Sequence, residues 1–258
     1  MRLAQAPKCH VMTDGLIVRE HATIAENDRF VAILTRDRGL IRAAARGARS
    51  VKSRSCAATQ QLCYSRLSLV PGRDKYIIED AQPQELFFPL RQDLERMTLA
   101  QYFCELALHL TPVEAPAEEH LRLFLNALHY LAQGERDPLL IKAIVEGRLM
   151  CLEGYMPDLT GCTECGRTDG AAFVFSPSGG TLCCPDHPAP PDAMPLTPGV
   201  LTALRHILYG DFARCFAFSL PPEDTAELAR VTQRFLLVQG QRRYATLEMY
   251  RTLRTELT

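Results

Sequence analysis

Five short segments with the character of β-strands follow one another between residues 10 and 82, and they restrict the fold more than any other feature. They are residues 14–20, 29–35, 40–45, 62–70 and 76–79. Each is rich in β-branched or aromatic residues and alternates in polarity, and turn-forming residues separate most of them. Five such strands in so short a span predict a small closed barrel such as the OB fold, with an SH3-like barrel as the alternative. The basic stretch before the fourth segment is expected to be a loop or a short helix.

The rest of the chain has helical periodicity. Apolar residues at helical spacing predict three helices within residues 90–112, 121–131 and 139–152, which form a bundle. Residues 196–209, 222–240 and 244–257 predict three more helices, the first capped by Thr197 with Pro198 in its first turn. The predicted class is therefore an α+β multidomain protein. We expect an OB-fold domain over 1–82, a helical bundle over 83–155, a zinc-knuckle segment over 156–195, and C-terminal helices over 196–258 that pack on the bundle.

Charge is distributed unevenly along the chain. Residues 1–80 contain 14 Lys and Arg against 8 Asp and Glu, whereas residues 81–258 contain 15 against 22. This asymmetry favours a polyanionic partner for the N-terminal part and a different partner for the remainder. No apolar stretch approaches the roughly 20 residues that span a membrane, and the first residues lack the apolar run of a secretory signal. We therefore expect a cytoplasmic protein with no membrane partner.

Four of the ten cysteines fall between residues 162 and 184, and the other six are scattered as expected for small buried residues. Cys162 and Cys165 form one C-x-x-C knuckle, and Cys184 and His187 form a second, C-x-x-H knuckle. Two such pairs at this separation predict one tetrahedral, structural Zn²⁺ per chain. Cys183 is the alternative third ligand, because a spacing of four to His187 is also workable. The competing interpretation is a set of reduced thiols without a metal.

A basic segment overlaps the predicted barrel. Its candidate DNA-binding residues are Arg36, Arg38, Arg42, Arg46, Arg49, Lys52 and Arg54, and the local sequence opposes them only with Asp37. Arg42 and Arg46 share one face of a strand, and the last three lie in the following loop. Guanidinium groups bind phosphates with two hydrogen bonds, so the row predicts salt-dependent binding to a nucleic-acid backbone. The alternative is a solvated basic face.

Aromatic residues that could stack on bases are few in the barrel region. Phe30, Tyr64 and Tyr76 are the candidates, and each is expected in the core. Single-strand binders of the OB class combine charge with stacking platforms. We therefore expect binding that is mainly electrostatic and nearly indifferent to base sequence.

Three segments resemble the RecO family. Residues 25–54, AENDRFVAILTRDRGLIRAAARGARSVKSR, resemble its N-terminal signature. Residues 154–166, GYMPDLTGCTECG, resemble its Gly-Tyr-x-Pro entry into a zinc knuckle, and residues 175–184, FSPSGGTLCC, resemble the second half. The order of barrel, helices, knuckle and C-terminal helices also matches, so the resemblance extends over essentially the whole chain.

The resemblance implies a non-enzymatic recombination mediator that binds single- and double-stranded DNA and anneals complementary strands. It implies RecR and the C-terminal tail of single-strand binding protein as partners, with RecA loaded indirectly. The implied DNA contacts fall on the basic residues named above, and the implied ligands on Cys162, Cys165, Cys184 and His187. Zinc-containing members commonly have Cys where this chain has His187, and some members lack the metal, so zinc is expected to stabilise the fold.

Two other functions are compatible with parts of the sequence. A nuclease could use the carboxylates of Asp74, Glu79 and Asp80, but metal-dependent hydrolysis needs convergent acidic groups, and this segment has the pattern of a hairpin with a polar turn. A zinc-stabilised protein-interaction scaffold without a DNA role fits the acidic C-terminal part, but it leaves the basic barrel unexplained.

Overall fold

The computed structural model describes residues 10–21, 27–50, 53, 55–170 and 172–257. The described residues up to Ala132, together with those from Thr246 onward, form one compact unit, and Gln133–Ala245 form a second. Sequence composition divides the chain into four segments instead, and that finer division stays a prediction.

The first unit contains a closed five-stranded barrel, which confirms the predicted OB-type fold. Its strands are β1 (Val11–His21), β2 (Arg29–Thr35), β3 (Gly39–Ala45), β4 (Tyr64–Pro71) and β5 (Tyr76–Glu85). The order around the barrel is β1-β2-β3-β5-β4, with β4 returning to β1. All neighbours are antiparallel except β3 and β5, which run parallel over three residue pairs and close the barrel.

Alternation of side chains along the strands builds the barrel core. Ile17, Ile33, Ile41 and Leu67 point inward and are at most 2% exposed. The stretch between β3 and β4 contains a short helix, α1 (Ser55–Ala58), one of the two forms that the sequence predicts there. Alanines and a cysteine near this helix complete the same core.

A β-bulge interrupts the alternation in β1. The register with β2 passes from Ile17↔Ile33 directly to Arg19↔Ala32, which leaves Val18 as the extra residue. A bulge shifts every following side chain to the opposite face. Arg19 therefore points outward and Glu20 lies opposite inward-facing Val31, the reverse of what strict alternation predicts.

Three helices complete the first unit: α2 (Leu94–Leu110), α3 (Glu118–Gln133, whose last residue belongs to the second unit) and α7 (Ala245–Leu257). Asp93 caps α2 by accepting a hydrogen bond from the Arg96 N–H at 3.0 Å, so the helix begins later than the apolar pattern at Leu90 suggests. A short 3₁₀ helix, Phe88–Gln92, precedes it.

The connection between α2 and α3 is bonded to β3. The Leu40 N–H donates to the Pro112 carbonyl at 2.8 Å, and the Ala117 N–H donates to the Arg36 carbonyl at 2.9 Å. Gly39 has φ +55°, and a Cβ there would lie 2.1 Å from the Pro112 oxygen. Only glycine can occupy this position, because any side chain would clash with the Pro112 carbonyl. Gly39 therefore allows the turn between β2 and β3 to contact the connection between α2 and α3.

The second unit combines α4 (Pro138–Leu152), α5 (Pro198–Tyr209) and α6 (Pro222–Gly240) with a four-stranded sheet. The α4 helix packs against both α5 and α6. Thr197 caps α5 by accepting from the Val200 N–H at 3.1 Å, as predicted. The sheet contains β6 (Asp158–Cys162), β7 (Phe173–Ser176), β8 (Thr181–Cys183) and β9 (Met194–Leu196) in the order β6-β8-β7-β9.

Within the described part of the chain, no helix combines the length and the apolar character that crossing a bilayer requires.

Candidate nucleic-acid interface and metal centre

The predicted DNA-binding residues are called the basic row below. Those that the structure describes lie on two consecutive turns and on the strand between them. Arg36 and Arg38 occupy the turn between β2 and β3, Arg42 lies on β3, and Arg46 and Arg49 follow its end. All of them are exposed except Arg38, which is half-buried. Lys52 and Arg54, the remaining predicted residues, lie outside the described residues.

Arg36 is paired with a carboxylate that the local sequence does not reveal. Its guanidinium lies 3.4 Å from Asp14 Oδ2, and Asp14 also accepts a short hydrogen bond from the Tyr64 hydroxyl. The Asp14 charge raises the pKa of Arg36, and burial together with Asp14 raises the pKa of Tyr64 to about 12. Arg36 is therefore partly neutralised by its own barrel. The sequence around Arg36 does not identify Asp14 as its partner, because Asp14 lies on β1.

Arg38 is oriented by an aromatic ring. It donates a hydrogen bond to the Tyr76 hydroxyl at 3.3 Å, and its guanidinium carbon lies 5.8 Å from the ring centroid. Tyr76 in turn packs against the barrel core. The contact orients the Arg38 side chain, and no carboxylate among the described residues forms an ion pair with it.

Arg42, Arg46 and Arg49 carry the free positive charge of the row. No carboxylate in the described part of the chain lies within ion-pairing distance of any of the three. The turn that contains Arg46 and Arg49 is held by two hydrogen bonds. The Gly47 N–H donates to Asp28 Oδ1 at 2.9 Å, and the Arg49 N–H donates to the Asn27 carbonyl at 3.1 Å. Three unpaired guanidinium groups on a fixed backbone can neutralise phosphates.

Arg29 belongs to the same basic run in sequence but not in space. It is 8% exposed, pairs with Glu20 at 3.2 Å and donates to the Cys56 carbonyl at 2.9 Å. It stabilises one end of the barrel.

The sequence alone does not identify Arg19 and Lys75 as candidate DNA-binding residues. Arg19 lies on β1 and Lys75 lies in the turn before β5, and both line a groove that Arg42 also lines.

The second candidate site is the group formed by Cys162, Cys165, Cys184 and His187, whose ligand atoms all lie within 4.8 Å of one another. The first knuckle starts at the end of β6 and the second at the end of β8, and these two strands are parallel neighbours. Parallel strands end at the same edge of a sheet, so the two knuckles meet there. The structure thus brings the four predicted ligands together.

The distances in this group fit one tetrahedral ion. Cys165 Sγ lies 3.8 Å from Cys184 Sγ, and His187 Nδ1 lies 3.9 Å from Cys162 Sγ and 3.2 Å from Cys184 Sγ. Two sulfur atoms bound tetrahedrally to one Zn²⁺ at about 2.3 Å are about 3.8 Å apart. Three thiols with one imidazole are also the donor set that zinc accepts in closed structural sites.

Cys183 lies outside the group. As the neighbour of Cys184 at the end of β8 it points elsewhere, and its thiol lies 3.7 Å from the His187 carbonyl and 3.6 Å from that of Pro188. Burial raises the pKa of Cys183. The geometry therefore favours Cys184 over Cys183 as the third ligand.

Backbone groups around the first knuckle stabilise a thiolate. The Cys184 N–H, 3.4 Å from Cys162 Sγ, is the main cause that lowers the pKa of Cys162 to about 6. The Gly166 N–H closes the knuckle by donating to the Cys162 carbonyl at 2.8 Å, with Gly166 at φ +72°. Arg167 pairs with Asp186 at 2.6 Å and so joins the two knuckles.

Comparison with known proteins places these features in one family. The family model for the N terminal of recombination protein O matches residues 10–87, and the model for its C terminal matches residues 91–248. A DNA repair protein RecO from Acetivibrio thermocellus is 33% identical over 95% of this chain and 97% of its own length. A DNA repair protein RecO from Symbiobacterium thermophilum is 33% identical over 94% of this chain and 97% of its own length.

Proposed function

The chain belongs to the RecO family of DNA repair proteins, and on that premise we propose that it is a non-enzymatic recombination mediator that binds single- and double-stranded DNA through its barrel. The observation that carries the proposal is the set of exposed guanidinium groups of Arg42, Arg46 and Arg49, none of which is paired with a carboxylate of the described residues. Such a row attracts a phosphate backbone without reading bases. Arg36 and Arg38 extend it, with Lys52 and Arg54 as further candidates.

The contacts of the aromatic residues of the barrel support DNA binding that is mainly electrostatic. Tyr64 is hydrogen-bonded to Asp14, and Tyr76 packs on the core and orients Arg38. Phe30 is covered by Lys75, whose Nζ lies 3.9 Å from the ring centroid. None of these three rings is an open platform for a base, so affinity depends on charge and falls with salt.

Membership of the family supports a wider activity. We expect the protein to anneal complementary strands, to act with RecR, to contact the C-terminal tail of single-strand binding protein, and so to help load RecA. A cytoplasmic location close to the nucleoid fits these partners. The basic row supports annealing because a protein that neutralises two backbones lowers their mutual repulsion.

We expect one structural Zn²⁺ per chain, held by Cys162, Cys165, Cys184 and His187. Bound there, the ion supplies a cross-link between the two knuckles. The residues themselves shape the site: Gly166 permits the first turn, and the Cys184 N–H favours the Cys162 thiolate.

The double variant Arg42→Glu with Arg46→Glu tests the proposed DNA site. Loss of two phosphate contacts is expected to weaken binding of an oligothymidylate roughly 100-fold at low salt, and to reduce the slope of log K against log salt by about 1.4. Fluorescence anisotropy at several salt concentrations, with and without Mg²⁺, measures both. Binding by the wild type without Mg²⁺, with the oligonucleotide left at full length, distinguishes a mediator from a nuclease.

The matched control is Arg230→Glu with Arg234→Glu. These two arginines are also four residues apart and exposed, but they lie on α6 in the second unit. The control makes the same change in charge and is expected to alter affinity less than about threefold. Equal losses in the two double variants would contradict the barrel site. Absence of any DNA retention by the wild type at low salt would favour the scaffold function instead.

A further inference from the structure

A groove of about 390 Å³ lies on the outer face of the barrel, beside the last turn of α2. Ala32, Leu40 and Leu108 contribute apolar surface to its lining, and Arg19, Arg42 and Lys75 contribute positive charge. The three cations are exposed and come from three separate parts of the barrel: β1, β3 and the turn before β5. Distant parts of the chain thus supply cations to one concave surface.

Strand register explains how the two arginines flank the groove. Arg19 lies opposite Ala32 on β2, and Ala32 lies opposite Arg42 on β3. Two strand spacings separate Arg19 from Arg42, or about 10 Å between Cα atoms. Ala32, whose small side chain lines the groove, lies between the two arginines in the strand register. The bulge at Val18 is what turns Arg19 to this face.

The next row along the strands adds a titratable group. His21 lies opposite Phe30, which is the ring covered by Lys75. Partial burial lowers the pKa of His21 below its ordinary value, and the charges of Arg19 and Arg42 lower it further. Burial is the larger of these causes, and the part due to Arg19 and Arg42 is the part that a bound anion would offset.

Carboxylates and a second histidine also border the groove. The charged and titratable groups that share it with His21 are Arg19, Arg42, Asp74, Lys75, His109 and Glu114. Asp74 and Glu114 are exposed, so solvent screens them well. Three permanent cations against two carboxylates leave a positive excess, and protonation of His21 would increase it.

We propose that this groove holds a phosphodiester group of the bound DNA strand, with Arg19 and Arg42 as its guanidinium donors and His21 as a further donor once it is protonated. The inference rests on the proposed function, because Arg42 belongs both to the groove and to the basic row. It extends the DNA path to β1 and to Lys75. A phosphate between the two arginines offsets their repulsion of the protonated imidazole, so DNA binding favours uptake of a proton by His21.

The sign of the pH dependence follows from this linkage. The phosphate raises the pKa of His21 in the complex above its value in the free protein. Affinity for DNA is then lowest above the bound-state pKa and rises as the pH falls through it. A barrel whose arginines alone bind DNA has no such contribution from His21.

The test uses the full chain and a fluorescent oligothymidylate of about 20 nucleotides. Anisotropy is measured at constant ionic strength between about pH 5.5 and pH 8, the range in which histidine titrates. Arg19→Gln is expected to weaken binding about tenfold across the range. His21→Gln is expected to match the wild type at the high end and to lose most of the gain in affinity toward the low end.

Arg66→Gln is the matched control, because Arg66 is an exposed arginine of the same barrel on β4 and does not line the groove. It is expected to change affinity less than about twofold. Equal effects of Arg19→Gln and Arg66→Gln, or an unchanged pH dependence in His21→Gln, would overturn the groove assignment. If Arg42→Glu with Arg46→Glu still weakens binding roughly 100-fold in that case, the proposed function stands and only the groove falls.

A second measurement uses an oligoglutamate peptide, because such a groove could also accept the carboxylates of an acidic protein segment. Weak peptide binding that Arg19→Gln leaves unchanged supports a phosphate site. Tight peptide binding that Arg19→Gln abolishes, combined with unaltered DNA affinity, assigns the groove to an acidic protein segment and overturns the proposal.

Discussion

At the scale of single residues, the ion pair between Lys142 and Glu146 in α4 is the contact that sequence predicts least well. Lys142 Nζ lies 2.8 Å from Glu146 Oε1, and the two side chains are 2% and 0% exposed. The Thr232 hydroxyl donates to Glu146 Oε2 at 2.9 Å. A Lys and a Glu four apart on a helix are usually a solvated pair. Here both are buried because α5 and α6 pack on α4, which the sequence of α4 does not reveal.

The variant Lys142→Met is expected to lower the free energy of unfolding by about 3–5 kcal/mol, because it leaves the Glu146 carboxylate buried without its cation. The double variant with Glu146→Leu removes both charges at similar volume and is expected to recover most of that loss. Urea unfolding followed by circular dichroism measures both. A double variant no more stable than Lys142→Met would show that the apolar replacement fails to pack.

At the scale of secondary structure elements, local pattern predicts most of the fold. All five barrel strands and all six predicted helices are present, and α6 has the predicted bounds. The β5 strand continues from Glu79 to Glu85 because its pairing with β4 continues, although the polar segment that contains Pro83 lacks an apolar alternation. The parallel β3–β5 pair that closes the barrel joins segments distant in sequence, so no local pattern encodes it.

The same distinction applies to the candidate sites. Arg42, Arg46 and Arg49 could be found from sequence because they are close together in the chain. Arg19 could not, because the bulge at Val18 reverses its direction, and Asp14 could not, because only the barrel brings it to Arg36. The grouping of Cys162, Cys165, Cys184 and His187 could be predicted from their spacing, but the position of Cys183 outside the group required the orientation of residues at the end of β8.

The knuckle element predicts a difference between two neighbouring cysteines. Cys184→Ser removes a ligand and is expected to reduce bound zinc from about one per chain to well below half, whereas Cys183→Ser is expected to retain it. Elemental analysis of protein purified without chelators measures the content. Equal loss in the two variants would contradict the assignment of Cys184, and absence of zinc from the wild type would remove the metal site.

At the scale of the whole molecule, the first unit is assembled from two separate parts of the chain. Its last helix, α7, follows the second unit and is bonded to α2. The Thr246 N–H donates to Glu105 at 3.0 Å, the Tyr250 hydroxyl donates to Glu95 at 3.2 Å, and Arg254 pairs with the same carboxylate at 2.9 Å. Residues near the end of the chain therefore stabilise the unit that contains the barrel.

Tyr250→Ala tests this arrangement, because Tyr250 is 1% exposed whereas Met249 on the same helix is 59% exposed. We expect Tyr250→Ala to destabilise the first unit by about 3–5 kcal/mol and Met249→Ala to change stability by less than about 0.5 kcal/mol. Denaturant unfolding gives the two values, and zinc content reports on the second unit, where no change is expected. A similar effect of both variants would mean that α7 contributes little through its buried face.

The return of α7 to the first unit sets an order of events during translation. A ribosome releases residues 133–245 before it releases α7, so the second unit can acquire its folded form while the first still lacks a helix. Until then Glu95 and Glu105 of α2 lack their hydrogen bonds to Tyr250 and Thr246 of α7. A nascent chain stalled before residue 245 would expose to chaperones and proteases the face of α2 that contacts α7.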